Sequence, residues 1–485
     1  MAAVIPKSLP PQVESLRSSG VTSKVLVPND PDYAGRQSSF WSVSAQQLSP
    51  AAIVLPDNAN EVASIVKSLV AAGQPFAARS GGHTNWAGSN NIDGGVTIDL
   101  SQIRHVRVSE DKQTADIGPG GKWREVYAEL DKHGLAVAGG REGNVGVAGL
   151  ILGGGNTFFT ARRGFACDNV VEYQVVLASG EIVTASKHSN EDLFCALKGG
   201  SNNFGIVTNF KMAAIPCSKV WGGMSFLPKA TIPAAIDALV DFVPNVASDD
   251  GSNLVCIFTH MPDFKDVVVA TFYANVDAVE SPPIYKKWLE IPRIMDMIKM
   301  TSIKEMAFEY NIPAGHHVLW FTLCFKNDAT IVTKAVDLHE ILVEQLKTVD
   351  PEGGFTTQCL FQPLPKLFGQ RGAEAGGNVM GIENQSSDGL LWLATAMMKT
   401  AEHEAQARPL VEKWVQDVKD FAASNVEEGV LPWTYLNYAD PTQAVLASYG
   451  AGNVQKIRDA AAKYDPEGVF QKLCPGGFKI SDVKS

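Results

Sequence analysis

Three stretches set glycine beside groups that can do chemistry. Arg79-Ser80-Gly81-Gly82-His83 leaves a short apolar run, the segment 139–155 reads GGREGNVGVAGLILGGG, and 199–208 reads GGSNNFGIVT. Consecutive glycines after a strand expose backbone N–H groups with no side chain in the way, which suits the two negative charges of a pyrophosphate. Arg79 and Ser80 could add donors. Taken alone, the RSGGH stretch serves a tight turn and a structural histidine equally well, because such turns need glycine for positive φ. Other chemistries lack their residues. No G-x-G-x-x-G occurs among the 43 glycines, and neither a Walker G-x-x-x-x-G-K-S/T nor a G-x-S-x-G elbow is present. His403-Glu404 begins like a zinc-protease helix, but position 407 is Ala where the second ligand is required.

The elements around these loops follow from apolar spacing. Ala52-Ile53-Val54-Leu55 reads as a strand, and Val62, Ile65, Val66, Leu69 and Val70 recur at helical period over 61–70. Strands are expected at 75–78, 96–100 and 114–117, then a helix with Trp123, Val126, Tyr127 and Leu130 on one face. Further on, strands are expected at 253–259, 266–273, 316–325, 356–361, 378–383 and 390–397, with helices at 331–347 and 403–422 between them. This pattern predicts a sheet covered by helices. Near the end, 433–438 reads as a loop and strand and 453–464 as a helix. Residues up to about 45 are rich in Pro, Ser and Gln and read as a surface arm.

The chain has 485 residues, 45% apolar and 19% charged, enough to bury a large core, and 52 acids against 41 bases give a net charge of −11. Without a dense basic run, no nucleic-acid partner is expected. Prolines at 6, 10 and 11 interrupt the N-terminal stretch, so no signal peptide, no membrane partner and a cytoplasmic location are expected. Seven scattered cysteines without CxxC spacing read as buried free thiols, and no metal site is expected.

Taken together, PFAARSGGHTNWAGSNNIDGGVTIDLS (75–101), VGVAGLILGGG (145–155), FACDNVVEYQVVLASGEIV (165–183), LKGGSNNFGIVT (197–208), TYLNYAD (434–440) and YDPEGVF (464–470) resemble the berberine-bridge-enzyme-like FAD-linked oxidases of the vanillyl-alcohol-oxidase superfamily. The likeness runs from about 47 to 480. It implies an α+β, two-domain PCMH-type FAD-binding fold. An N-terminal arm (1–46) would precede the FAD-binding domain (47–217). A substrate domain of antiparallel sheet covered by helices (218–425) would follow, and a C-terminal segment (426–485) would complete the FAD domain.

The resemblance implies FAD attached covalently through His83. Many relatives carry a second link through a Cys at the position held here by Glu142, so a single histidyl link is expected; Cys167 is out of register with that position. The implied cofactor-binding set is Arg79, Ser80, Gly81, Gly82, His83, Gly88, Val145, Gly146, Gly149, Gly153, Gly154, Ile206, Val207 and Asn437. Val145 would lie beside the flavin C4a edge, where a small side chain leaves room for oxygen. Ile206 and Val207 would enclose the adenine end or the ribityl region. Hydride transfer to flavin N5 needs a base for the departing proton. A regular strand at TYLNY would put Tyr435 and Asn437 on one face and Tyr438 on the other. Tyr435 is expected to touch the substrate and Tyr438 is the alternative base. Of His316, His317, Trp320, Thr322, Glu383 and Asn384 on expected strands, Glu383 is the other candidate base.

The expected function is an FAD-linked oxidase acting on a small organic substrate (an alcohol, an amine or an activated C–H position). O2 would be its electron acceptor, and its setting secondary-metabolite biosynthesis. An FAD dehydrogenase, a flavin-dependent cyclase or isomerase, and a non-catalytic flavin-binding protein are the alternatives.

Overall fold

The computed structural model describes residues 11–18, 20–264 and 266–484. Its first sheet has four strands in the order Lys24–Leu26, Ala52–Leu55, Val96–Asp99 and Phe76–Arg79. The last three run parallel, and the helix Ala59–Ala71 forms the crossover, with Val62, Ile65, Val66 and Leu69 buried and the Asn58 side chain capping Glu61 N–H. Phe76–Arg79 ends at the RSGGH loop, so the sheet delivers His83 directly. A second, antiparallel sheet of five strands runs Val106–Val108, Thr114–Ile117, Ile206–Ala213, Val170–Val176 and Ile182–Ser186.

The chain between about 220 and 431 builds one nine-stranded antiparallel sheet whose centre holds Ser252–His260, Thr356–Leu364, Gly389–Met398 and His317–Lys326. Its long strands are buried along their length, because each face is covered. Helices cover one face: Trp414 donates to Ala335 O at 3.0 Å, joining Ala401–Asn425 to Ala329–Val349, and its ring meets Trp392 of the sheet edge-on at 5.1 Å. Period-two alternation then turns Leu393 to the opposite face, where it is the cross-strand partner of Leu360. That face roofs the cavity described below. The helix Ile232–Asn245, within a stretch long and apolar enough to cross a bilayer, instead buries Ala235, Leu239, Phe242 and Val243.

Three regions depart from the sequence expectation. Residues 378–383 form no strand; a short 3-10 turn covers Ile382–Asn384. Leu436–Tyr438 is also a 3-10 turn rather than a strand. The polar arm is built into the body: Val13 and Leu16 are fully buried, Lys24–Leu26 pairs with Ala52–Leu55, and Trp41 ties two sheets together. Its N–H donates to Gly82 O at 2.9 Å, its C=O accepts from Gly315 N at 3.0 Å, and Val43 N reaches His316 O at 3.0 Å. Residues 1–10 of the expected arm lie outside the described residues. At the other end, Phe76 N donates to Leu473 O at 2.7 Å and Asn203 Nδ2 to Phe478 O at 3.0 Å, so the last segment packs onto the first two sheets.

Candidate active site

One long cavity runs from Ile206, Asn202 and Phe478, among the glycine-rich loops, to Trp320, Leu360 and Leu393 on the inner face of the large sheet. Two of its walls are bare backbone. Gly81 and Gly146 lie so close that a Cβ on Gly81 would sit 2.5 Å from Gly146 Cα, and Gly82 adopts φ +70°, so neither loop tolerates a side chain there. Ser80 clasps the loops: its hydroxyl donates to Pro119 O at 2.5 Å and accepts from Ala148 N at 3.3 Å. Exposed amides, an apolar lining and an extended shape suit a dinucleotide bearing a flat ring.

His83 opens onto this cavity from a dry setting. Its ring stacks on Trp41 at 4.5 Å with an interplanar angle of 13°, which fixes the imidazole plane. Nε2 has no hydrogen-bond partner and lies 3.7 Å from Glu142 Oε2. Burial pulls the His83 pKa down to about 4, so the ring is neutral at ordinary pH and keeps a nucleophilic lone pair. Burial raises the Glu142 carboxyl in turn, against the opposing effect of the Asn144 side chain and the Asn144 and Val145 amides. Both directions work against an ion pair between the two groups. A neutral imidazole that opens onto a glycine-lined cavity fits a flavin carried at His83.

Two tyrosines line the same cavity. Their rings meet edge-on at 4.9 Å, and both line the cavity because the 3-10 turn abolishes the strand alternation expected for them. They differ in surroundings. Tyr435 is 1% exposed, its oxygen accepts the Asn156 N–H at 2.6 Å, and burial drives its phenol far above the ordinary range. Tyr438 is half-buried, and its oxygen faces Gln362 Nε2 at 3.0 Å and Arg141 Nη2 at 3.5 Å. Arg141 is a buried guanidinium held by neutral groups: it donates to Gln362 Oε1 and to Asn253 Oδ1 at 3.2 Å. Donors aimed at the Tyr438 oxygen can hold negative charge there.

Of the residues singled out from sequence, Ser80, Gly81, Gly82, His83, Val145, Gly146, Gly149, Ile206, Val207, Tyr435, Asn437, Tyr438 and also Trp320 line the cavity. Asn437 acts as a clamp, with Nδ2 donating to Gly149 O at 3.2 Å and Leu150 O at 3.3 Å; Gly153 lies against it, and Gly154 against Met380. Gly88 lies outside the lining and packs tightly on Gly476. Arg79, expected as a phosphate donor, points away from the cavity. It donates to Arg36 O at 2.9 Å and Ser39 Oγ at 2.7 Å and covers the Phe40 ring, bracing the arm. Glu383 is exposed on its 3-10 turn and Asn384 beside it is exposed too, so neither enters the cavity. His317 faces Glu404 at 3.1 Å, and the Thr322 hydroxyl donates to Trp392 O, both away from the pocket. Trp41, Arg141, Asn156 and Gln362 escaped the sequence reading. Arg141, which with Glu142 sets two charges among the glycines and apolar residues of 139–155, was the one visible signal.

A sequence family described as an FAD binding domain matches residues 50–186. The chain is 37% identical over 476 residues to the FAD-dependent monooxygenase drtC of Aspergillus calidoustus, covering 97% of this chain and 90% of that one. It is 33% identical to the FAD-dependent monooxygenase sdcF of Emericella nidulans, covering 96% and 97%. Among solved structures, xylooligosaccharide oxidase from Myceliophthora thermophila shares the fold with TM-score 0.77 at 18% identity, covering 98% and 100%. Glucooligosaccharide oxidase from Acremonium strictum, whose structure concerns a 6-S-cysteinyl, 8α-N1-histidyl FAD, gives TM-score 0.74 at 20% identity, covering 94% and 97%. With relatives of this kind matching over nearly its whole length, the chain belongs to the family of FAD-dependent monooxygenases and oxidoreductases, built on the fold that its solved oxidase neighbours share.

Proposed function

We propose that this protein is an FAD-linked oxidase of secondary metabolism whose cofactor is bonded to His83 and whose base is Tyr438. FAD supplies the hydride acceptor; the chain supplies everything that orients the substrate and moves its proton. The observation that carries the reading is what one cavity brings together: a neutral imidazole on a glycine loop and a tyrosine oxygen that receives two donors. A small organic substrate would enter between Trp320, Leu360 and Leu393, whose apolar surface excludes water. Arg141 and Gln362 would stabilise the anionic form of the Tyr438 oxygen, which takes the proton and becomes a neutral phenol. Tyr435, spent on the Asn156 amide, props the turn that presents Tyr438.

Val145 lines the cavity beside Gly146, where its small side chain would leave room for O2, in keeping with oxidase chemistry. The two fungal relatives described above carry the name monooxygenase, so insertion of an oxygen atom is the second reading. Intact-mass analysis and peptide mapping of the yellow protein test the attachment: a flavin on the His83 peptide alone is expected, and an unmodified peptide ends that part of the reading. Stopped-flow mixing of reduced protein with O2 is expected to regenerate the oxidised spectrum quickly and release peroxide. Slow reoxidation defeats the oxidase reading, and 18O from 18O2 in the product replaces it with oxygen insertion.

A further inference from the structure

Glu142 is a buried carboxylate that substrate turnover does not use. Its side chain is 5% exposed, and its position is fixed: Oε2 accepts from Asn144 N and Val145 N, both at 2.8 Å, and Oε1 accepts from Asn144 Nδ2 at 3.1 Å. The Ile312 backbone also bonds to this carboxyl, and Oε2 stands beside the His83 Nε2 that lacks a hydrogen-bond partner. Their 3.7 Å separation is just outside hydrogen-bond range, and catalytic contacts of this kind commonly close only when the reacting partner is in place. Trp41 stacked on the ring restricts it to motion within its own plane, and Lys122 is the other charge that acts on it.

We infer that Glu142 is the proton acceptor for covalent attachment of FAD to His83, a role that rests on the histidyl attachment proposed above. With Nε2 turned to Glu142, Nδ1 is the nitrogen left to bond. The step balances as follows. The 8-methyl group of the flavin first gives up one proton to the flavin ring system, which makes its carbon electrophilic. The Nδ1 lone pair forms the new C–N bond, and the flavin takes up two electrons. The imidazole, now cationic, loses its Nε2 hydrogen to Glu142 Oε2. An external two-electron oxidant, dioxygen, then accepts those electrons with the proton from Glu142 and the hydrogen held by the flavin, leaving as hydrogen peroxide. The imidazole must begin neutral and end neutral, and its apolar surroundings penalise the cation between. A carboxylate fixed beside the departing hydrogen removes that penalty where it arises.

The test is reconstitution of flavin-free full-length protein with FAD, followed by acid precipitation and in-gel flavin fluorescence to time the covalent bond. Bound but unattached FAD is measured separately by its fluorescence quenching. Wild type is expected to become acid-stably yellow. His83→Ala is expected to bind FAD without attaching it, and acid-stable flavin in that variant, or none in wild type, refutes the histidyl reading itself. Glu142→Gln is expected to bind FAD yet attach it at least tenfold more slowly, and Glu142→Ala to be restored partly by added formate. A merely structural carboxylate would give no such rescue. Attachment at the wild-type rate in Glu142→Gln, or slow attachment in Glu142→Ala unmoved by formate, overturns the proposal while leaving the histidyl bond in place. If Glu142→Gln fails to fold, Glu142→Asp, keeping a carboxylate one methylene shorter, should attach FAD faster than Glu142→Ala, and equal rates overturn it.

Discussion

Two histidines lie in dry interiors at opposite parts of the molecule, and the contrast between them shows what burial alone does and does not mean. His83 sits on the glycine loop with its pKa pulled to about 4, and His339, in the helix Ala329–Val349 behind the large sheet, is pulled to about 3; burial is the leading cause in both. His339 shares a hydrogen bond between Nε2 and Thr357 Oγ1 at 2.7 Å and packs on Trp414; its Nδ1 is unpartnered too, but it does not line the long cavity. His83 has an open wall, a stacked tryptophan and a carboxylate within reach of its free nitrogen. Desolvation makes each imidazole neutral, but only the one that faces space can react. A depressed pKa marks a functional site when geometry supplies somewhere for the chemistry to go.

The contrast can be broken in several ways. Largest in effect, His83→Ala should abolish acid-stable flavin, whereas His339→Gln should leave it at the wild-type level; in-gel flavin fluorescence reads both. Loss of attachment in both variants would mean that the two histidines are not separable. Tyr438→Phe should slow anaerobic flavin reduction by about 10²–10⁴, the usual worth of a general base. Tyr435→Phe should cost clearly less, and the reverse order would return the base to Tyr435.

Acid should act on both histidines alike. Their folded pKa values lie below the ordinary 6.5, so the unfolded chain binds more protons between those values, and stability present above pH 6.5 is lost as pH falls toward about 4 for His83 and about 3 for His339. At pH 5 each would remove about 2 kcal/mol relative to neutral pH in the flavin-free protein. His339→Gln should therefore flatten the decline in urea midpoint between pH 7 and 5 without touching flavin chemistry. An unchanged slope would show that His339 is not neutral in the fold. Smallest of all, Glu383→Gln should alter neither attachment nor reduction, because that side chain lies in solvent; a marked loss would require the turn Ile382–Asn384 to reach the cavity.

Much of the site was legible before folding was considered. Glycine has consequences that travel with the sequence: Gly81, Gly82 and Gly146 allow a backbone approach no other residue permits, so their clustering beside His83 pointed to a ligand wall. The helix and strand periods were equally local, and Thr114–Ile117 and the helix from Trp123 appear where their spacing put them. The tyrosine faces were not legible. Alternation in TYLNY presumed an extended backbone, whereas the Tyr438 N–H closes a turn on Tyr435 O at 3.1 Å and brings both rings into one cavity. Arg79 misled for a related reason. Its place after a strand and before glycines suits phosphate, but the arm that captures it comes from residues 36–40.

The amino-acid sequence by itself determined the glycine-walled loops, the histidine they carry and the spans of the long strands of the large sheet, because each depends on backbone freedom or on neighbours a few residues away. Only the tertiary structure decided that Trp41 fixes the His83 ring, that Glu142 stands beside its free nitrogen, and that Arg141 and Gln362 converge on Tyr438. Those contacts join residues from 40 to almost 300 positions apart, and distance along the chain carries no record of direction in space until the sheets have closed.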